Sequence, residues 1–258
     1  MTGAIGIIGV GAIAAAIVDG LCSQPSDAPE LFLSPRNATT ASELAQKHST
    51  VHICADNQTV VDNAPLVILT VRSDDVRDAL ADVRMPRDRI VVSAVAGVSR
   101  ESLRRHVGDH VTIVRAIPLP AVRQRQGITA IYPAHPTVEG LFDRLGGTLA
   151  MPDSAIFAAL WSTTGTIAAH LHYLDTIAGW AVHHGVDPTE VDRYVRSMFL
   201  GVGGTLTDRR RSLSELAAAH ETPGGINQQL RTSWLDQGNT AALRRALDDI
   251  YKRLTQDP

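Results

Sequence analysis

The chain has 258 residues, 44% of them hydrophobic, and a formal net charge of −3 at pH 7. This length is enough for one large domain or two smaller ones, and the charge balance offers no basic footprint for nucleic acid. No apolar run approaches the ~18 to 20 residues of a membrane span, and no secretory leader is predicted before the first strand. Cys22 and Cys54, the only cysteines, are interpreted as buried thiols in a reducing, cytoplasmic setting, although the sequence also permits a disulfide.

The first predicted element is a strand that runs directly into a glycine-rich turn. Residues 5–8 are apolar, the turn Gly9-Val10-Gly11-Ala12-Ile13-Ala14 follows, and residues 15–21 favour a helix. In such an arrangement Gly9 permits the tight turn, Gly11 keeps side-chain atoms away from a phosphate, and Ala14 allows close packing. We therefore predict that the turn binds the pyrophosphate of a dinucleotide, with an ordinary strand-to-helix turn as the alternative. The predicted contacts are Gly9, Val10, Gly11, Ala12 and Ile13.

Short apolar runs recur through the first half of the chain and predict a parallel sheet. They lie at residues 31–33, 51–54, 66–71, 90–94 and 111–116. The segments between them are long enough for helices, so the pattern indicates an α/β fold with a doubly wound sheet of the Rossmann type. Residues 127–131 and 147–151 are predicted as additional edge strands.

Beyond about residue 155 the pattern changes to helical periodicity. Residues 156–185 predict one long helix ended by Gly185, and residues 190–207 predict a second helix capped by Asp187 or Thr189. Residues 212–220 and 240–254 predict two more. We therefore predict a Rossmann-like, dinucleotide-binding domain over residues 1–154 and an all-α domain over residues 155–258.

The end of the second predicted strand indicates which dinucleotide is bound. A carboxylate there would accept the ribose hydroxyls of NAD, but the strand ends in Leu33-Ser34-Pro35-Arg36-Asn37, and Glu30 lies at its opposite end. Ser34, Arg36 and Asn37 offer hydroxyl, guanidinium and amide donors, which favours the 2′-phosphate of NADPH as the ligand. The alternative is that Arg36 is a solvated arginine in a surface turn.

Five further segments carry motifs in a characteristic order. They are Asp56-Asn57, Leu69-Thr70-Val71-Arg72, Ser93-Ala94-Val95-Ala96-Gly97-Val98, Val114-Arg115-Ala116-Ile117-Pro118 and Glu221-Thr222-Pro223-Gly224-Gly225-Ile226-Asn227. With the glycine turn, this order and spacing resembles the pyrroline-5-carboxylate reductase family over nearly the whole chain. The resemblance implies NADPH-dependent reduction of pyrroline-5-carboxylate to proline, by a homodimer or larger oligomer that uses the C-terminal helices for dimerisation. It also implies cofactor contacts at Asn57, Val71, Arg72, Ala96, Gly97 and Pro118.

By the same resemblance, the last of these segments binds the substrate carboxylate on backbone N–H groups at a helix start. The residues implied are Thr222, Gly224, Gly225, Ile226 and Asn227. The alternative is a structural Pro-Gly-Gly turn between two helices, in which Thr222 and Asn227 serve only as helix-capping groups.

Three departures from the family pattern concern the substrate rather than the cofactor. Residues 163–169 keep only the small-residue character of the family's Ser-Gly-Ser-Gly-Pro-Ala-Tyr, Leu119 stands where the family has Asn, and Ile226-Asn227 replaces paired threonines. Another cyclic imine or a keto acid therefore stays open as the substrate. So does a catalytically silent protein that only binds or senses NADPH.

Three residues are predicted to take part in the chemistry. Protonation of a product amine needs a group that titrates near neutrality, and His170 and His220 are the candidates. Asn227 is a candidate for a hydrogen bond to the ring nitrogen or the carboxylate. Its amide is not an acid, so it is not predicted to supply a proton.

Two negative features narrow the alternatives. No metal site is predicted, because neither His183-His184 nor His106 with His110 has the spacing of a ligand set. Lysine occurs only at positions 47 and 252, which disfavours the route of the architecturally similar β-hydroxyacid dehydrogenases, whose catalytic lysine lies on the long helix after the dinucleotide domain.

Overall fold

The computed structural model of the protein describes residues 3–256 and divides into two compact units. One unit comprises the chain up to Trp161 together with the residues from Tyr251 onward, and the other comprises Ser162–Ile250. The strands are β1 (Ile5–Ile8), β2 (Leu31–Leu33), β3 (Val51–Ile53), β4 (Leu66–Leu69), β5 (Ile90–Ser93), β6 (Thr112–Ile117), β7 (Thr129–Tyr132) and β8 (Thr148–Ala150). The α-helices are α1 (Ala12–Leu21), α2 (Ala38–Lys47), α3 (Asn57–Asn63), α4 (Val76–Leu80), α5 (Arg100–Val107), α6 (Pro136–Asp143), α7 (Ser154–Thr163), α8 (Thr166–His183), α9 (Pro188–Thr205), α10 (Leu213–Ala219), α11 (Ile226–Trp234) and α12 (Gln237–Thr255).

The first unit is built on one sheet of eight strands among the described residues, in the order β3-β2-β1-β4-β5-β6-β7-β8. Strands β1 to β6 all run parallel, in the strand order of a Rossmann-type sheet, which confirms the predicted fold class. Strand β7 is antiparallel to β6 and parallel to β8. The predicted edge position is therefore correct for β8 and wrong for β7, because β7 forms hydrogen bonds with a neighbour on each side.

Apolar residues on both faces of the sheet explain why its strands are continuous hydrophobic runs. Ile5 and Ile7 of β1 belong to one core cluster, which also contains Phe142 of α6. Ile8 belongs to a second cluster with Val60 of α3. Since alternate residues of a strand point to opposite faces, a strand covered on both faces has few positions left for polar residues.

Asp19 ties α1 to its neighbours through three basic side chains. Its carboxylate lies 2.7 Å from Nζ of Lys47, 2.9 Å from Nε2 of His48 and 3.5 Å from Nε of Arg123. Burial by itself would raise the pKa of Asp19, but the hydrogen bonds from His48 and Lys47 and the nearby positive charges outweigh it and lower the pKa. The ionised carboxylate therefore contributes to the packing of α1.

The helices of the second unit follow the sequence signals with one exception. Asp187 accepts hydrogen bonds from two N–H groups in the first turn of α9, which confirms it as the cap. The single helix predicted over residues 156–185 is wrong, because α7 and α8 separate at residues 164–165. A Cβ added at Gly165 would lie 2.8 Å from Cδ1 of Ile250, so α12 packs closely against the break. Within residues 3–256, no helix combines the length and apolarity needed to cross a membrane.

Cys22 and Cys54 are both buried free thiols. Burial raises the pKa of each thiol, which keeps it protonated near neutral pH. The structure therefore agrees with the interpretation of two separate thiols and not with the disulfide alternative.

Candidate functional site

The glycine turn between β1 and α1 has the two geometric properties that a dinucleotide site requires. Gly9 has φ +95°, and an added Cβ would lie 2.6 Å from Cγ1 and 2.7 Å from the backbone N of Val71. By contrast, apart from Gly11 itself and its two chain neighbours, no atom of the described chain lies within 4 Å of a Cβ added at Gly11, which is exposed at the start of α1. Gly9 thus makes the turn possible, while Gly11 leaves space above the N–H groups of Ala12 and Ile13.

Three polar side chains hold the peptide groups of this turn in place. The hydroxyl of Ser34 accepts a hydrogen bond from the N–H of Gly9 (2.9 Å), and the hydroxyl of Thr70 donates to the carbonyl of Gly9 (2.5 Å). The side-chain amide of Asn37 donates to the carbonyl of Val10 (2.8 Å). Ser34 and Asn37 were predicted as contacts of the cofactor, and the structure directs both toward the turn itself. This contact of Thr70 was not predicted, although a hydroxyl directly after a buried strand is a signal in the sequence that could have indicated it.

Of the three predicted donors Ser34, Arg36 and Asn37, Arg36 is the one whose side chain is not directed toward the glycine turn. It is 62% exposed, and its Nη2 donates to Oδ1 of Asp75 at 3.1 Å. Asp75 closes a short 3₁₀ helix, Ser73–Asp75, in the loop after β4. Because β2 and β4 flank β1 in the sheet, this ion pair joins loops on the two sides of the glycine turn. Nothing in the local sequence around Asp75 marks it as a partner of Arg36.

The other predicted cofactor contacts lie at the carboxyl ends of neighbouring strands, with one exception. Arg72 follows β4 and is exposed, Gly97 follows β5 with φ +74°, and Pro118 follows β6. Val71 packs beneath Gly9, and Ala96 is exposed beside Gly97. Asn57 is the exception, because its side-chain amide donates to the carbonyl of Ala79 (2.9 Å) and so ties α3 to α4.

The segment Glu221–Asn227 forms a tight turn ahead of α11. The N–H of Gly225 donates to the carbonyl of Thr222 (2.9 Å), and Gly224 has φ +73°. The first hydrogen bond within α11 runs from the N–H of Gln229 to the carbonyl of Gly225 (3.0 Å). The N–H groups of Ile226, Asn227 and Gln228 therefore precede the helical ladder, where the helix dipole favours an anion.

Two side-chain contacts in this turn were not predicted. The N–H of Gly224 donates to Oε1 of Gln228 (2.8 Å), so one predicted substrate donor already has an acceptor within the protein. The side-chain amide of Asn227 donates to the carbonyl of His220 (2.8 Å) and thereby fastens the turn to the end of α10. Asn227 and His220 are thus brought together, but through the backbone of His220 rather than its ring.

His170 lies in an aromatic cluster of the helical unit. Its ring meets Phe199 of α9 edge-on, with centroids 5.8 Å apart, and Tyr173 at 6.4 Å. Tyr173 in turn stacks on Trp234 of α11 at 5.2 Å with an interplanar angle of 6°. Within residues 3–256, no three His, Cys, Asp or Glu side chains are grouped so that they could hold a metal ion.

A parallel sheet with a glycine turn at β1, followed by a helical unit, places the chain among NAD(P)-dependent oxidoreductases. The sequence model described as NADP oxidoreductase coenzyme F420-dependent matches residues 4–97, and the one described as pyrroline-5-carboxylate reductase dimerisation matches residues 155–257. The pyrroline-5-carboxylate reductase of Synechocystis sp. is 24% identical over 259 residues, covering 96% of each chain.

Solved structures show the same fold. The 1-pyrroline-5-carboxylate reductase of Streptococcus pyogenes superposes with a TM-score of 0.78 at 23% identity, over 96% of this chain and 98% of that one. A pyrroline carboxylate reductase of Plasmodium falciparum with NADP bound superposes with a TM-score of 0.74 at 15% identity, over 96% and 95%. The chain belongs to the pyrroline-5-carboxylate reductase family, which confirms the resemblance drawn from its motifs.

Proposed function

We propose that this protein is an NADPH-dependent reductase of a cyclic imine carboxylate, with pyrroline-5-carboxylate as the substrate and proline as the product. One observation carries the proposal: the chain has two backbone sites for anions, the open turn at Gly11 and the N-terminus of α11 at Ile226–Asn227. The first suits the pyrophosphate of the cofactor, and the second suits the carboxylate of the substrate. Family membership supports the same pairing.

NADPH rather than NADH is supported by the end of β2. No carboxylate follows Leu33, and Arg36 presents an exposed guanidinium whose planar fork matches a phosphate. The related Plasmodium falciparum structure is described with NADP bound.

The reaction requires little of the protein beyond the positioning of the two reactants. When bound, the dihydronicotinamide supplies a hydride to the imine carbon, and the ring nitrogen of a protonated imine already carries the proton that the product amine keeps. The backbone N–H groups of Ile226 and Asn227 hold the carboxylate, and removal of water strengthens that contact. Hydride transfer to the protonated imine leaves a neutral amine, and His170 and His220 remain candidates for protonating it, whereas the amide of Asn227 serves to position the turn.

The test is oxidation of NADPH by the purified protein with a panel of substrates. Pyrroline-5-carboxylate should give the highest kcat/KM, ahead of piperideine-carboxylates, thiazoline-carboxylates and keto acids. A higher kcat/KM for another cyclic imine would keep the reaction class and change the substrate, an alternative that the departures at Leu119 and Ile226 leave open. Tight binding of NADPH without turnover of any imine or ketone would show a silent, NADPH-sensing homologue.

We also propose that residues 1–154 bind the cofactor and that residues 155–258 mediate assembly as a homodimer or larger oligomer. The dimerisation sequence model begins at residue 155. The helical unit leaves large apolar side chains exposed, among them Leu171, Trp180 (65% exposed) and Leu200. Light scattering coupled to size exclusion should therefore give at least twice the mass of one chain, and a monomer at micromolar concentration would contradict the assignment.

A further inference from the structure

The ion pair between Arg36 and Asp75 places a carboxylate beside the group assigned to the 2′-phosphate. Asp75 is the more fixed of the two side chains: it is 30% exposed, and its backbone N–H donates to the carbonyl of Arg72 at 3.0 Å. Arg36 lies in the loop after β2 and reaches Asp75 across 39 positions of sequence. The guanidinium is thus held toward the β4 side of the turn before any cofactor binds.

A 2′-phosphate on Arg36 would come close to this carboxylate. Asp75 is bound to one of the five N–H donors of the guanidinium, so a phosphate on the remaining donors would lie roughly 6 Å from it. Like charges at that separation weaken binding by about threefold per unit of charge at the dielectric constant of bulk water and by about a hundredfold at the lower value typical of a protein surface, and partly exposed groups lie between these limits. NADH carries no charge at this position, so its binding escapes the repulsion.

We propose that Asp75 is a specificity-determining residue that limits the preference of this protein for NADPH over NADH. Its carboxylate competes with the 2′-phosphate for Arg36 and repels it. The inference rests on the proposed NADPH site at Arg36, and it assigns a function to a residue outside that set.

The experiment measures dissociation constants of NADP⁺ and NAD⁺ by calorimetry for the unmodified protein and four variants. Asp75→Asn should tighten NADP⁺ about tenfold and change NAD⁺ less than about twofold, because only NADP⁺ carries the repelled charge. The gain should shrink as salt is raised from about 0.05 to 0.5 M, since the groups are partly exposed. Asp74→Asn is the matched control, because Asp74 is exposed in the same 3₁₀ helix and its carboxylate meets Ser73, not Arg36.

A double-mutant cycle separates repulsion from positioning. With Arg36→Ala, the carboxylate of Asp75 is no longer neutralised, so adding Asp75→Asn should recover NADP⁺ binding relative to Arg36→Ala alone. If Asp75 served only to position Arg36, Asp75→Asn alone would weaken NADP⁺ binding, and the double variant would bind NADP⁺ no more tightly than Arg36→Ala. Either of these two results overturns the proposal.

The NADPH site itself is tested by a separate arm. If Arg36→Ala weakens NADP⁺ and NAD⁺ equally, Arg36 does not bind the 2′-phosphate, and both assignments fail. If Arg36→Ala is selective but Asp75→Asn has no effect on NADP⁺, the NADPH site stands and only the role of Asp75 is refuted. The Asn variant should fold normally, because within the described chain the Asp75 side chain makes no capping hydrogen bond to α4.

Discussion

Alanine at Gly9 should mainly lower the stability of the fold, whereas alanine at Gly11 should mainly weaken cofactor binding. At Gly9 the added methyl group meets Val71 at 2.6 to 2.7 Å, and φ +95° is unfavourable for any residue with a Cβ. The left-handed backbone costs about 1–2 kcal/mol and the overlap about 1–3 kcal/mol, so Gly9→Ala should destabilise the fold by roughly 2–5 kcal/mol. That is a large part of the ~5–15 kcal/mol that stabilises a typical domain.

Gly11→Ala provides the matched control. Apart from Gly11 itself and its two chain neighbours, no described atom lies within 4 Å of its added methyl group, so stability should fall by less than about 1 kcal/mol, the cost of a poorer helix cap. The methyl group would instead occupy the space assigned to the pyrophosphate and weaken NADPH by at least about tenfold, or 1.4 kcal/mol. Urea unfolding measures the first quantity and fluorescence titration with NADPH the second. Normal NADPH binding by a folded Gly11→Ala variant would refute the assignment of this turn.

Four other changes have defined outcomes. Arg36→Ala should raise the KM for NADPH by about ten- to a hundredfold, the value of a charge-assisted hydrogen bond, with the KM for NADH within about twofold; equal effects would contradict the 2′-phosphate site. Thr70→Val removes the hydrogen bond to the Gly9 carbonyl and should weaken NADP⁺ and NAD⁺ alike in calorimetry, whereas a selective effect would place Thr70 at the ribose. Gly225→Val should abolish turnover with NADPH affinity near normal, because an added Cβ would lie 2.3 Å from Oγ1 of Thr222; loss of cofactor binding would show that this turn is misassigned. Asp19 has a lowered pKa in the fold, so its stabilisation is present above the pKa of an unfolded aspartate and is lost as pH falls through the folded value; Asp19→Asn should therefore destabilise at pH 7 and make little difference in acid, as read from urea midpoints.

The elements that could be predicted from the sequence are those determined by residues close together in the chain. The turn at Gly9 and Gly11 is encoded by the two positions that need glycine, and the cap at Asp187 by a side chain that reaches the next N–H groups. The parallel sheet follows from apolar runs at regular intervals, since each run is covered on both faces. These features depend on residues within a few positions of one another.

What could not be predicted depends on contacts between distant segments. Ser34 was predicted as a cofactor contact, whereas its partner in the structure, the N–H of Gly9, lies 25 positions away. The pairing of Arg36 with Asp75 follows from the placement of β2 and β4 on either side of β1, which no local pattern specifies. The break between α7 and α8 was also missed, because the small residues around Gly165 are compatible with a continuous helix.

The side chains around the glycine turn fall into two separate groups, and this separation has an evolutionary consequence. Ser34, Thr70 and Asn37 secure the backbone, whereas Arg36 and Asp75 face outward and take no part in that bracing. The two outward side chains are thus exchangeable without rebuilding the glycine turn. A lineage carrying this scaffold could drift between the two nicotinamide coenzymes by one or two substitutions while its fold stayed intact.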